Sequence, residues 1–180
     1  MNERTRWAAG FLVSMSAFAA VGCAGGMKGK GGGTSHPLAR QVAPDVEVKL
    51  RSGGPWHPAN ASGKVLVIDF WATWCGPCKD SFPRIDAIYQ RHQNGGLEVV
   101  AIDEDDDAKG VPAFVQSTGV TFPIALDPGG NAATTYGVNT MPSEFVVDRR
   151  GVVRFVHSGF HPDDMDALES EVAELLKEAP

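Results

Sequence analysis

Apolar positions along this chain fall into blocks whose period changes from one block to the next. Val46, Val48 and Leu50 alternate with polar residues, which predicts a short half-exposed strand. Ser52-Gly53-Gly54-Pro55 then turns the chain. Val65-Leu66-Val67-Ile68-Asp69-Phe70-Trp71 is a nearly continuous apolar run, the pattern of a strand covered on both faces. Phe82, Ile85, Ile88 and Tyr89 follow at helical spacing, with Pro83 placed to kink that helix. Leu97 to Ile102 predicts a second buried strand, and Val111, Phe114 and Val115 the apolar side of a helix. Phe122 to Leu126 reads as a strand and Asn131 to Tyr136 as a short helix. Glu144–Asp148 and Val152–His157 form a hairpin across Arg149-Arg150-Gly151. Pro162 opens a last helix striped by Met165, Leu168, Val172, Leu175 and Leu176. Strands alternating with helices and ending in a hairpin predict an α/β domain with a mixed central sheet.

The first 44 residues break this pattern. Arg4 and Arg6 precede an apolar stretch from Trp7 to Val21, the charged and apolar regions of an export signal. A membrane span needs about 20 predominantly apolar residues, and this run is shorter and rich in Ala, Ser and Gly. It ends at Ala20-Val21-Gly22-Cys23, which resembles a bacterial lipobox. That resemblance implies removal of residues 1–22 and lipidation of Cys23, with a plain signal cut nearby as the other reading. Gly25, Gly26, Gly29, Gly31, Gly32 and Gly33 cannot bury a core, so residues 23–44 read as a lipid-anchored cysteine and flexible linker. Residues 45–180 are then the globular domain.

Composition adds exclusions. A formal net charge of −6 leaves no basic footprint for a phosphate backbone, so nucleic acid is not an expected partner. Three cysteines are too few for a disulfide-stapled scaffold. Cys75 and Cys78 form one close pair where the buried strand runs into a helix. There the helix N-terminus offers unpaired N–H groups and partial positive charge, which stabilise a thiolate. Cys75 should be the more exposed and more acidic thiol, and Cys78, one turn inside, the sheltered one. A structural disulfide is the blander reading, but so short a loop constrains little of the unfolded chain. Zinc would need two more ligands, and His36, His57, His92, His157 and His161 show no paired spacing. Copper(I) held by the two thiols, as in a metallochaperone, stays open as the alternative. The run Asp103 to Asp107 reads as favourable charge at a helix N-terminus.

Asp69-Phe70-Trp71-Ala72-Thr73-Trp74-Cys75-Gly76-Pro77-Cys78-Lys79 resembles the active-site segment of thioredoxin, whose cysteine chemistry is a standard worked example. Pro83 matches that family's helix kink, and Met141-Pro142 before an apolar strand resembles its cis-proline turn. Residues 104–126 and Phe145-Val146-Val147-Asp148-Arg149-Arg150-Gly151 are similar to the exported TlpA/ResA branch. The resemblance implies a thioredoxin fold, an α/β/α sandwich whose mixed sheet carries the extra helix and strand of that branch. It implies thiol:disulfide exchange at Cys75 and Cys78, with Asp69 moving a proton and Trp74, Gly76 and Pro77 supporting the site. Met141 and Pro142 would bind substrate as an extended strand. No cofactor is implied beyond the Cys75–Cys78 disulfide, and no metal. Implied partners are exported proteins with disulfides or thiols, such as cytochrome c precursors or copper-site proteins, and a membrane electron donor. The implied location is the bacterial periplasmic side, membrane-attached through Cys23. A peroxidase reading lacks the Pro-Thr-Cys arrangement it needs.

Overall fold

The computed structural model of the chain describes residues 36–179, so the export signal, Cys23 and the Gly-rich segment lie outside the described residues. Seven strands form one sheet: β1 (Val48–Leu50), β2 (Pro55–Trp56), β3 (Val65–Trp71), β4 (Leu97–Asp103), β5 (Ile124–Leu126), β6 (Ser143–Val147) and β7 (Val153–Ser158). Their spatial order is β2-β1-β5-β4-β3-β6-β7. β3, β4 and β5 run parallel, while β6 is antiparallel to β3, and β1 to β5. Four helices cover the sheet: α1 (Gly76–His92), α2 (Val111–Thr118), α3 (Asn131–Tyr136) and α4 (Asp164–Leu175).

Burial on both faces explains why β3 lacks an alternating pattern. Val65, Val67 and Trp71 face a core shared with Phe82 and Ile85 of α1, Phe114 of α2, and Leu168 and Val172 of α4. Leu66, Ile68 and Phe70 face the opposite core, against Tyr136 of α3 and Phe145 and Val147 of β6. The thioredoxin fold implied by the sequence is the fold observed, and α2 with β5 supplies the extra helix and strand. Among the described residues no helix is long and apolar enough to cross a membrane.

Several expectations need correction. Residues 36–44, read as linker, are docked. His36 packs edge-on against Phe145, Leu38 packs on the α3-side core, and Arg40 and Ala43 donate to the carbonyls of Val153 and Gly151. The Gly-rich composition that marks a linker ends at Gly33, and the apolar residues after it find sheet to cover. Pro55, read as part of a turn, pairs with Lys49 as half of the two-residue strand β2. Pro162 precedes the last helix by two residues rather than opening it.

The acidic run does not load the first turn of α2, which has no acidic residue. Asp103 instead ends β4, buried, and Asp105 accepts from the Thr73 N–H at 3.1 Å. Asp107 caps a short 3-10 turn through Lys109 N–H.

Candidate active site

The parallel strand β3 delivers the chain to the top of the sheet, where Ala72–Trp74 cross over and α1 begins. Asp105 holds this crossover through Thr73 N–H. Cys75 is the N-cap residue of α1, and its Sγ accepts from Cys78 N–H at 3.2 Å. Pro77 sits in the first turn, where its missing N–H costs nothing. A disulfide joins Cys75 to Cys78, with the Cα atoms 5.4 Å apart. Cys75 is 5% exposed and Cys78 fully buried, so the order of exposure is as the sequence implied but Cys75 is itself largely covered. Trp74, by contrast, is 70% exposed.

A cleft of about 480 Å³ opens beside the disulfide. Trp74, Cys75, Gly76 and Pro77 line one side, and Val138, Asn139, Thr140 and Met141 the other. The Met141–Pro142 peptide is cis. Pro142 was read as offering its backbone to a substrate, but its carbonyl already accepts from Gly159 N–H at 2.8 Å. Thr140's carbonyl is taken by the Ser143 hydroxyl at 2.9 Å. Met141 makes no backbone hydrogen bond among the described residues, so the free strand-like edge belongs to it.

Glu104 also lines the cleft, a contact the sequence reading missed. Burial, with Asp127 and Asp103 nearby, pushes its carboxyl up to about 8.

Asp69 lies on the sheet face that packs α1, by its alternation with Val67 and Trp71. Cys78 belongs to the same core. Asp69 is fully buried, and among the described residues neither carboxylate oxygen has a hydrogen-bond partner. Burial alone pushes it up to about 8. Sequence reasoning missed its neighbour, because Asp69 stands directly opposite Glu144 of β6. Glu144 is equally buried and unpartnered, and burial followed by the charge of Asp69 raises its carboxyl well above the usual range.

Comparison with known proteins agrees with this architecture. Residues 39–156 match the family model described as AhpC/TSA family. The chain belongs to that family. Within the AhpC/TSA family it is 34% identical over 111 residues to the thiol-disulfide oxidoreductase ResA of Bacillus thuringiensis (strain Al Hakam). That match covers 62% of this chain and 64% of the relative, so the chain spans less than two thirds of such ResA relatives. The thioredoxin-like protein YneN of Bacillus subtilis (strain 168) is 35% identical over 122 residues, 66% of this chain and 71% of that one. A crystal structure of a thiol:disulfide interchange protein DsbE from Chlorobium tepidum superposes with a TM-score of 0.72 at 36% identity. It covers 75% of this chain and 95% of that chain.

Proposed function

We propose that the protein is a thiol:disulfide oxidoreductase that reduces disulfides of exported proteins through Cys75 and Cys78. The observation that carries the reading is the Cys75–Cys78 disulfide at the start of α1, walled by the cis Met141–Pro142 turn. The relatives named for this chemistry support it.

In the reduced protein, Cys75 Sγ sits at the N-terminus of a 17-residue helix, where N–H groups and the helix dipole favour its thiolate. The thiolate attacks a substrate disulfide, forms a mixed disulfide and expels one substrate thiolate. Cys78 then loses its proton to Asp69 and attacks Cys75 Sγ. The electron pair of the broken bond leaves with the second substrate sulfur, which takes a proton from water. Met141 presents its backbone to an extended substrate segment, the strand-addition mode of recognition. Trp74 offers an exposed apolar surface at the mouth of the cleft. A membrane electron donor returns the disulfide to the dithiol.

Cys78→Ser is expected to accumulate substrate as a mixed disulfide on non-reducing gels, while Cys75→Ser does not, because only the attacking sulfur forms that bond. Equal trapping by both variants would remove the assignment of roles. Export and lipid attachment at Cys23 complete the proposal. Two or more acyl chains at one site anchor firmly, since each buried methylene contributes about 0.8 kcal/mol. Cys23→Ala is expected to move the protein from the membrane to the soluble fraction; a wild-type protein already soluble after export would sink the anchor.

A further inference from the structure

One level of the sheet carries ionisable side chains on three adjacent strands. Ladder pairing places Asp69 of β3 opposite Glu144 of β6, and Glu144 opposite His157 of β7. All three lie on the face covered by α1 and α4, since Asp69 alternates with Val67, Glu144 with Val146 and His157 with Phe155. Each is buried: Asp69 and Glu144 fully, His157 at 4% exposed.

The three are not equally served. His157 Nε2 lies 2.7 Å from Glu171 Oε2 of α4, a partnered pair. Among the described residues, no oxygen of Asp69 or Glu144 has a hydrogen-bond partner on another residue. Residues directly opposed across antiparallel strands hold their Cβ atoms about 4.5–5.5 Å apart. Two carboxylates that close, without a cation between them, cannot both ionise in a buried site. Besides Asp69, Glu144 is acted on by its own backbone N–H, which lowers it, and by Asp164 of α4, which adds negative charge, while the facing His157 is bound by Glu171 of α4. From α1 the buried polar side chains are Cys78 and Ser81, and Ser81 donates to the Cys78 carbonyl at 3.3 Å. β4 places only Ala101 beside Asp69.

We propose that Glu144 is a positioning residue of the dithiol, forming with Asp69 a carboxyl pair that shares one proton and through it sets the proton affinity of the base serving Cys78. The proposal rests on the oxidoreductase reading. In the working form the pair carries one proton and one negative charge. Cys78 thiol gives its proton to that pair, which becomes neutral, and the Cys78 thiolate attacks Cys75 Sγ. The bond from Cys75 to substrate breaks, the substrate thiolate is protonated from water, and the pair later returns its extra proton to solvent. Without Glu144, the negative charge would rest unshared on Asp69 in the buried site, so Asp69 would ionise only at higher pH.

The test is the pH profile of the resolving step, measured by rapid mixing on the full chain with the mixed disulfide preformed. Wild type is expected to gain rate through an inflection set by the pair. In Glu144→Gln that inflection should move toward alkaline pH by more than about one unit, because a strongly coupled pair titrates in separated steps and gives up its first proton below the value of either carboxyl alone. Glu144→Leu removes the carboxyl without burying an unsatisfied polar group, and should show the same displacement if the Gln variant does not fold. A folded variant with the wild-type inflection would overturn the proposal. A second measurement needs no turnover. The infrared absorption of protonated carboxyls in the oxidised protein near neutral pH should change band position in both variants and in Asp69→Asn, because one buried carboxyl then holds the proton alone instead of sharing it. Unchanged absorption in all three would also overturn the pair. A wild-type dithiol that exchanges with no disulfide, while the infrared signal behaves as expected, would fail the oxidoreductase reading and leave the shared proton standing.

Discussion

Asp148, just past the end of β6, gathers donors from every side. The N–H groups of Arg150 and Val152 reach it at 2.9 and 3.0 Å, and the guanidiniums of Arg150 and Arg154 at 3.2 and 3.3 Å. Burial would raise its carboxyl, but these four donors outweigh it and hold Asp148 below its ordinary value. Asp69, toward the other end of the β3–β6 pair, is as deeply buried and has no donor at all. The two environments demand opposite protonation states. A carboxylate that closes a hairpin must stay charged, so the fold surrounds it with cations and N–H groups. An unserved carboxyl costs stability wherever it sits, and this one lies in the core that holds Cys78. Asp148 therefore does structural work, whereas Asp69 has the proton affinity a base needs near neutral pH.

The sharpest way to break this contrast is kinetic. Asp69→Asn keeps the side-chain shape and removes the base. The resolving step is expected to slow by about 10²-fold or more, with the first attack by Cys75 little changed. Asp148→Asn should leave both steps at wild-type rates. Rapid mixing that separates mixed-disulfide formation from its resolution reads both. An unchanged resolving rate in Asp69→Asn would reduce Asp69 to a structural residue like its counterpart.

How much of this was legible beforehand depended on whether the signal was local. β3 was visible because burial on both faces produces an unbroken apolar run. The cysteine pair was visible because strand, turn and helix start are contiguous in the chain. The cis-proline turn was visible from the apolar strand that follows it. Glu144 was not, although the argument applied to Asp69 applies to it as well, since it too is a charge beside an apolar run. What gives Glu144 meaning is its register opposite Asp69, and register is a property of two strands 75 residues apart in the chain. The free edge of Met141 was hidden for the same reason, because Gly159 must fold back from β7 before Pro142's carbonyl is occupied. Residues 36–44 were obscured by the glycines before them.

Stability provides the second test, with opposite signs for the two aspartates. Asp148→Ala leaves buried N–H groups and a half-buried guanidinium without an acceptor, and should cost about 1–3 kcal/mol in urea unfolding. Asp69→Asn removes a costly buried carboxyl and should be at least as stable as wild type. The pH dependence separates them further. Asp69 is raised from 3.8 to about 8, so the folded state holds a proton that the unfolded chain releases. Its contribution is fully present below the unfolded pKa and is lost as the pH rises through about 8. Asp148 is lowered from 3.8, so its contribution is present above that value and is lost as the pH falls through the native one. Asp69→Asn should flatten the alkaline side of the stability profile and Asp148→Ala the acid side. The reverse assignment in denaturation series would break the comparison.

Glu104 lies between these extremes and gives the smallest expected effect. It lines the cleft beside Cys75 and shares the raised carboxyl of Asp69, at about 8, but it is only partly buried. Below that value it is largely neutral and does little to the neighbouring sulfur. Above it, Glu104 carries a negative charge that disfavours the Cys75 thiolate, since like charges raise each other's proton affinity. Glu104→Gln should therefore leave the first attack unchanged on the acid side and raise it on the alkaline side. The gain should be less than about ten-fold, because water in the open cleft screens the interaction and keeps the coupling under about one pKa unit, or 1.4 kcal/mol. Alkylation of Cys75 in the reduced protein, followed against pH, measures the thiolate directly. A gain confined to alkaline pH places Glu104 in electrostatic contact with the attacking sulfur. A uniform change at every pH would instead mean that the substitution had moved the cleft wall, and Glu104 would then join Asp148 as a residue that shapes the fold.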